Sequence, residues 1–315
     1  MSSIETRRLY EWCRIPAESL EGHPRLVTPF RLVTDSAAMG ELMAGELVAE
    51  IERANREGQE LRAVIPCGPS SWYAPFTRMV NQRKVSLNRL VVYHMDECLD
   101  WQNWELPRGH PYSFRGFMER HFYNPVAAGL AVPEANRYWL APSTVERVRE
   151  AIAARPPHIT FGGWGQDGHV AYNQTRRHPF SSISLEELAG SSIRIQENNW
   201  DTVIALAQRT FGAAWQFVPP MSVTLGMKEC LSAAKVRLFS DTGAWKQTAL
   251  RVALFSPPTV EYPMTLLQRH PDALITATLE TARHPISLNP DWDLGLGDKS
   301  TDYRGDKSTD YRGRE

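Results

Sequence analysis

The sequence predicts an α/β protein built on a mostly parallel, doubly wound (Rossmann-like) sheet with helices on both faces. Three observations lead there. Short apolar runs rich in β-branched and aromatic residues recur along the chain, among them LRAVIP (61–66), LNRLVVYHM (87–95) and HITF (158–161). Stretches with apolar residues at helical spacing separate them, and strands alternating with helices call for parallel pairing. Several of the runs also end on glycine, serine or acidic residues, and open α/β sheets place their chemistry at the carboxyl ends of strands.

In chain order, residues 1–24 read as an irregular N-terminal extension, holding Trp12 and Pro16, packed on the domain or on a neighbour. Residues 25–33 alternate like a strand. From Ser36 to about Gly58 the residues Met39, Leu42, Met43, Leu47, Val48 and Ile51 recur at helical spacing, with Asp35 or Ser36 as cap. The strand 61–66 runs into Cys67-Gly68-Pro69-Ser70-Ser71 and a helix from Trp72 to Val80. Strand, small-residue loop and helix start form either an anion-holding arrangement or an ordinary βα turn. The strand 87–95 ends on Asp96-Glu97, carboxylates that are costly to bury and so either touch solvent or do work. A helix with an aromatic inner face follows at 114–122, then a short strand at 137–140 and a helix at 143–154 capped by Ser143. Beyond residue 174 the chain is polar to about Gly190. Strands at 192–196, 221–225, 236–240 and 274–278 come next, with a helix at 200–211 carrying Arg209 and one from about Ala244 carrying Lys246. The domain spans 25–290. The tail, 291–315, repeats GDKSTDYR in tandem and is too polar to build a core.

The stretch HITFGGWGQDGHVAYNQ (158–174) carries the densest chemistry. A strand dissolves into glycines, of which Gly163 and Gly165 let the backbone approach a ligand, and then presents Asp167 and His169. Residues 163–168 also satisfy the dinucleotide pattern G-x-G-x-x-G. Asp167 would repel a pyrophosphate there, and residues 173–179 do not continue as an amphipathic helix. Glu186 and Glu187 alone, near the spacing of a ribose-binding acid, favour that reading.

Composition sets limits. Of 315 residues 42% are hydrophobic, enough for a full core, and a net charge of -1 gives no case for nucleic acid or an anionic membrane. Cys13, Cys67, Cys98 and Cys230 are scattered, with no CxxC and no stretch reading as a secretory leader, which fits reduced thiols in a cytoplasm. No apolar run approaches membrane-spanning length.

Several blocks, in order, carry a resemblance: IPCGPS (65–70), HMDE (94–97), HPYSF (110–114), GGWGQDGHVAYN (162–173), VTLGM (223–227), Lys246 and LQRHP (267–271). From about Arg25 to Pro285 the chain resembles the glucosamine-6-phosphate deaminase/isomerase family, which also includes the 6-phosphogluconolactonases. VAYN (170–173) looks like the deaminase branch. The resemblance implies a phosphosugar enzyme that opens the ring and moves a proton between C2 and C1. In it Asp96 is the proton shuttle, and Asp167 and His169 assist ring opening. The loop with Cys67, Gly68, Ser70 and Ser71 holds the phosphate, and Arg209 and Lys246 are its cationic partners. Gln174 stands where the family's pattern has a glutamate, and an amide can neither ionise nor pass on a proton as a carboxylate does. Pro69 replaces a second glycine, and Cys67 a threonine.

No cofactor and no metal are expected. Alternation puts His94 and Asp96 on one face, but nothing in the spacing ties them to Asp167 and His169. Two other readings stand beside the enolising enzyme: a lactonase-like hydrolase in which His169 activates water, and a non-catalytic sugar-phosphate sensor. The expected partner is a small phosphosugar, with room for a homo-oligomer.

Overall fold

The computed structural model describes residues 4–174, 182–243 and 245–296. The repeated tail and the expected helix start at Ala244 lie outside them. The chain opens with α1 (Thr6–Cys13), then β1 (Phe30–Val33), α2 (Ser36–Arg56), β2 (Leu61–Ile65), α3 (Tyr73–Arg83) and β3 (Leu90–His94). Next come β4 (Asp96–Leu99), α4 (Phe114–Met118), β5 (Arg137–Tyr138), α5 (Val145–Ala154), β6 (Ile159–Gly162), α6 (Leu185–Ala189) and β7 (Arg194–Glu197). The rest is α7 (Trp200–Thr210), β8 (Met221–Thr224), α8 (Met227–Cys230), β9 (Lys235–Ser240), α9 (Gln247–Phe255) and β10 (Ala273–Thr278), with short helical turns beyond.

Seven strands form one sheet in the order β1-β10-β9-β6-β2-β3-β5, and every pairing in it is parallel. Parallel strands covered on both faces should be apolar throughout, and all five residues of β3 are buried. The chain runs outward from β2 through β3 to β5, then returns to place β6 on the other side of β2. That reversal opens a crevice beyond the carboxyl ends of β2 and β6, where ligands bind in open α/β sheets. The two apolar clusters lie either side of the sheet's strands, one built on α2, α3 and the aromatic rings after α4, the other on α9 and the N-terminal segment.

Four expectations are corrected. The N-terminal segment is not irregular throughout: α1 forms over Thr6–Cys13, and Trp12 packs on Phe255 of α9 with ring centroids 6.5 Å apart. The strands at 192–196 and 221–225 do not join the parallel sheet. They are β7 and β8 of a separate antiparallel sheet, β4-β8-β7. Asp96 and Glu97 therefore do not end a strand but begin one, because the chain leaves the main sheet at Met95 and continues at once in the small sheet. Ser143 makes no cap bond; Thr144 Oγ1 instead accepts from the Ala141 N–H at 2.9 Å. The Asp35 cap is present, accepting from Ala38 N at 2.9 Å and so satisfying one of the helix's free N–H groups.

Candidate active site

Two loops meet over the crevice. After β2 comes Pro66-Cys67-Gly68-Pro69-Ser70, and after β6 comes the run from Gly163 to Tyr172. With Met95-Asp96, Tyr112, Phe114, Leu206, Arg209, Thr242 and Lys246 they enclose a cavity of about 370 Å³. A side cavity of about 170 Å³ shares Trp164, His169, Arg209 and Lys246 with it and adds Gly165 and Thr202. Residues from Pro66 to Lys246 thus converge on one place, which is the strand-end position anticipated by the fold.

Asp96 sits half-buried in the cavity wall where the two sheets join. Burial and the adjacent Glu97 push its carboxyl up to about 7, with His169 acting in the opposite direction. Glu97 points away and is structural. It accepts from the backbone N–H groups of Cys98, Phe114 and Arg115 at 3.0, 2.7 and 2.7 Å, fastening the start of α4 to β4. Burial still raises Glu97 to about 7 against those three donors.

Asp167 is 4% exposed and lies behind His169. Burial opposes its ionisation, but the His169 ring and its hydrogen bonds hold the carboxyl below the usual range. A carboxylate only accepts, so His169 Nδ1 donates to Asp167 Oδ1, at 2.6 Å. That tautomer leaves Nε2 free to accept. Gly165 makes the geometry possible: a Cβ there would lie 2.1 Å from His169 Cε1. Tyr172 stacks on the other side of the ring, with centroids 5.7 Å apart and planes 14° from parallel.

Gln174 is buried behind the same histidine. The N–H of Asn199 donates to its Oε1 at 2.9 Å, which fixes the amide's orientation. Its Nε2 donates to the Thr202 hydroxyl and lies 3.2 Å from His169 Nδ1. That nitrogen is already committed to Asp167, so Gln174 supplies a dipole and a wall where an acid would supply charge.

The cationic side is made by Lys246, in the turn before α9, and Arg209, in the last turn of α7. Lys246 Nζ lies 5.7 Å from the centre of the Trp164 ring, and the Arg209 guanidinium 4.6 Å from that of Trp245. Among the described residues neither has a carboxylate within ion-pair distance. Burial and Arg209 bring Lys246 down to about 8. Cys67, Gly68 and Ser70 line the cavity opposite. Ser71 does not: its carbonyl backs onto α2, where a Cβ on Gly40 would come within 2.5 Å, and its hydroxyl is buried without a partner. Lys246 precedes its helix rather than lying in it.

The dinucleotide reading fails on the backbone, since Gly168 turns with φ +71° and residues up to 174 form turns, not a helix. Among the described residues no group of three or more His, Cys, Asp or Glu side chains is placed to hold a metal, and no helix is long and apolar enough to cross a membrane. Sequence reasoning missed Thr202 and Tyr172. Tyr172 sits in the quoted block three residues from His169, whereas no sequence signal links Thr202 to a glutamine 28 positions away.

A parallel sheet with a switch-point cavity, a histidine held by a carboxylate, a second carboxyl and two cations without a carboxylate partner among the described residues has the make-up of an α/β enzyme site. No family model matches the chain. Glucosamine-6-phosphate deaminase of Cronobacter sakazakii is 32% identical over 220 residues, 67% of this chain and 75% of that protein. The enzyme of the same name from Phocaeicola vulgatus is 28% identical over 249 residues, 77% and 88% of the two chains. A monomeric glucosamine-6-phosphate deaminase superposes with a TM-score of 0.68 at 17% identity, covering 81% of this chain and 98% of its own. A 6-phosphogluconolactonase from Trypanosoma cruzi gives 0.59 at 15% identity, covering 84% and 99%. The chain belongs to the glucosamine-6-phosphate deaminase family and is an enzyme of that family.

Proposed function

We propose that the protein acts on a 6-phosphosugar, opening its ring and enolising C1–C2 with Asp96 as the proton shuttle. The observation that carries this reading is a single cavity lined by Asp96, His169, Arg209 and Lys246 together. The two cations and the N–H groups of the loop at 67–70 receive the phosphate. His169, its Nδ1 proton held by Asp167, offers Nε2 to the ring oxygen and the C1 hydroxyl. Asp96 takes the C2 proton as a carboxylate and returns it to C1, so no proton is gained or lost overall. A carboxyl brought up to about 7 suits that task, being basic enough to abstract and acidic enough to return.

The names of the relatives point to glucosamine 6-phosphate as the substrate to try first. Gln174 argues for a sugar whose ring opens readily, because the third member of the His169 group is an amide held by Thr202 and Asn199. The lactonase reading draws on the same His169 and on fold likeness, but gives Asp96 no work. Incubation with a panel of 6-phosphosugars and 6-phosphogluconolactone, following ammonia release, ketose formation and lactone loss, tests the proposal. Ketose formation, with or without ammonia, is expected. Lactone loss alone would assign the cavity to hydrolysis.

A further inference from the structure

Behind Asp96 lies a second, much smaller cavity of about 10 Å³, walled by Cys67, His94, Asp96, Glu97, Phe114, Arg115 and Trp139 among others. That volume admits one water molecule. His94 is 4% exposed and its Nδ1 is buried without a hydrogen-bond partner. Such an orphan is costly, about 1–3 kcal/mol, unless something in the cavity satisfies it.

The surroundings fix what His94 offers. Its ring lies on Trp139 with centroids 3.7 Å apart, and Arg115 and Arg137 cap the aromatic stack over Trp139 and Tyr123. Burial and the two arginines bring His94 down to about 3, so the ring is neutral. Nε2 lies 3.0 Å from the Tyr123 hydroxyl. If Nε2 carried the proton, the buried Tyr123 proton would have no acceptor there. With Tyr123 donating to Nε2 both groups are satisfied, and the histidine proton sits on Nδ1, facing the small cavity.

Of the acceptors on that cavity, Glu97 already receives three backbone N–H groups, two on Oε1 and one on Oε2, and so needs a further donor least. The Cys67 thiol donates to the Phe114 carbonyl at 3.6 Å. Arg115 is engaged by Glu119 at 3.1 Å. Among the described residues the Asp96 carboxyl has no donor. An unpaired N–H and an unpaired carboxyl thus share a one-water space.

We propose that His94 is a positioning residue for Asp96, its Nδ1–H donating through one water in this cavity to the Asp96 carboxylate. The bond turns the carboxylate's second oxygen toward the substrate and favours its ionised form. Its value to turnover rests on Asp96 being the base; the hydrogen bond itself does not. The titratable groups around Asp96 are Glu97, His169, Cys67, Cys98, Tyr73, Tyr172 and Cys230; those around His94 are Arg115, Arg137 and Tyr123.

The test reads Asp96 without any substrate. Protein carrying ¹³C-labelled aspartate carboxyls is titrated by NMR, with Asp96→Asn assigning the resonance. In His94→Phe, which keeps a ring against Trp139 but loses the N–H, the Asp96 midpoint should rise by about one pH unit. In His94→Asn, whose amide restores a donor near Nδ1, it should return toward the wild-type value. A midpoint unmoved in His94→Phe, or moved equally in both variants, overturns the proposal. Should His94→Phe fail to fold, ¹⁵N spectra of wild-type His94 decide: a protonated Nδ1 is expected, and a bare Nδ1 overturns it. An Asp96 midpoint that shifts as described, in an enzyme indifferent to Asp96→Asn, would leave the hydrogen bond standing and remove the enolisation reading instead.

Discussion

Lys246 and Arg251 stand five residues apart, and the fold treats the half-buried lysine and the buried arginine in opposite ways. Arg251 is 0% exposed and has no carboxylate among the described residues; Nε and Nη2 donate to the carbonyls of Trp12, Ile15 and Ala282 at 3.1, 2.9 and 2.8 Å, and Nη1 is buried without a partner. Those acceptors belong to α1, the segment after it and the turn beyond β10, so the guanidinium ties the N-terminal extension to the domain. Lys246 has no acceptor among the described residues and opens onto the cavity. A buried cation held by three carbonyls of neighbouring segments is a structural tie, even with one nitrogen left over. One left without acceptors on a cavity wall is a site for an anion supplied from outside.

The contrast predicts different losses. Arg251→Ala should cost the fold most, about 3 kcal/mol or more, because three carbonyls lose charged donors and a cavity opens. Urea denaturation measures it, and affinity for sugar phosphate should be unchanged in the fraction that folds. Lys246→Ala should do the reverse, leaving the urea midpoint within about 0.5 kcal/mol while weakening binding of a 6-phosphosugar by about 1.5–3 kcal/mol in calorimetry. Equal losses of stability in both variants would break the comparison.

The same lysine carries a pH signature. A folded-state value of about 8 means that Lys246 is charged below pH 8 and neutral above it. A phosphate monoester is already a dianion above about pH 7. Affinity should therefore fall as pH rises through 8 in the wild type, and stay flat over that range in Lys246→Ala. A wild-type profile as flat as the mutant's would take the phosphate away from Lys246.

Much of this was legible in the sequence, for physical reasons that also explain the gaps. Buried parallel strands are mostly apolar and rich in β-branched residues, so β2, β3, β6, β9 and β10 stand out even with Arg62 in β2 and Lys235 and Arg237 in β9. The small sheet did not, because β4 reads Asp-Glu-Cys-Leu, and two acids look like the end of a strand rather than the start of one. Its carboxylates are tolerated because Glu97 collects three backbone donors that only the folded chain supplies. Helix α6 was missed although Ser184 and Glu187 form a reciprocal capping box, at 3.1 and 2.7 Å, a signal its sequence contains. Asp167 and His169 were legible as a pair because they are two residues apart. His94, Tyr123 and Trp139 were not, since their stack exists only where β3, the residues after α4 and those after β5 meet.

A smaller effect is expected at Gln174. Gln174→Glu places a carboxylate beside His169 and Asp167, favouring the imidazolium that protonates a ring oxygen. Turnover of glucosamine 6-phosphate should rise about tenfold, with the basic limb of the pH–rate profile moving upward. No gain on that sugar, alongside good wild-type turnover of another, would make Gln174 a determinant of which sugar is accepted.

The proton shuttle itself can be followed directly with an aldose 6-phosphate deuterated at C2. Wild-type enzyme should deliver part of that deuterium to C1 of the ketose product, since one carboxylate removes and returns it. Asp96→Asn should slow the transfer by about 10²–10⁴-fold, with little change in KM. Product formed by Asp96→Asn at the wild-type rate, or wild-type ketose carrying no deuterium at C1, would contradict the account.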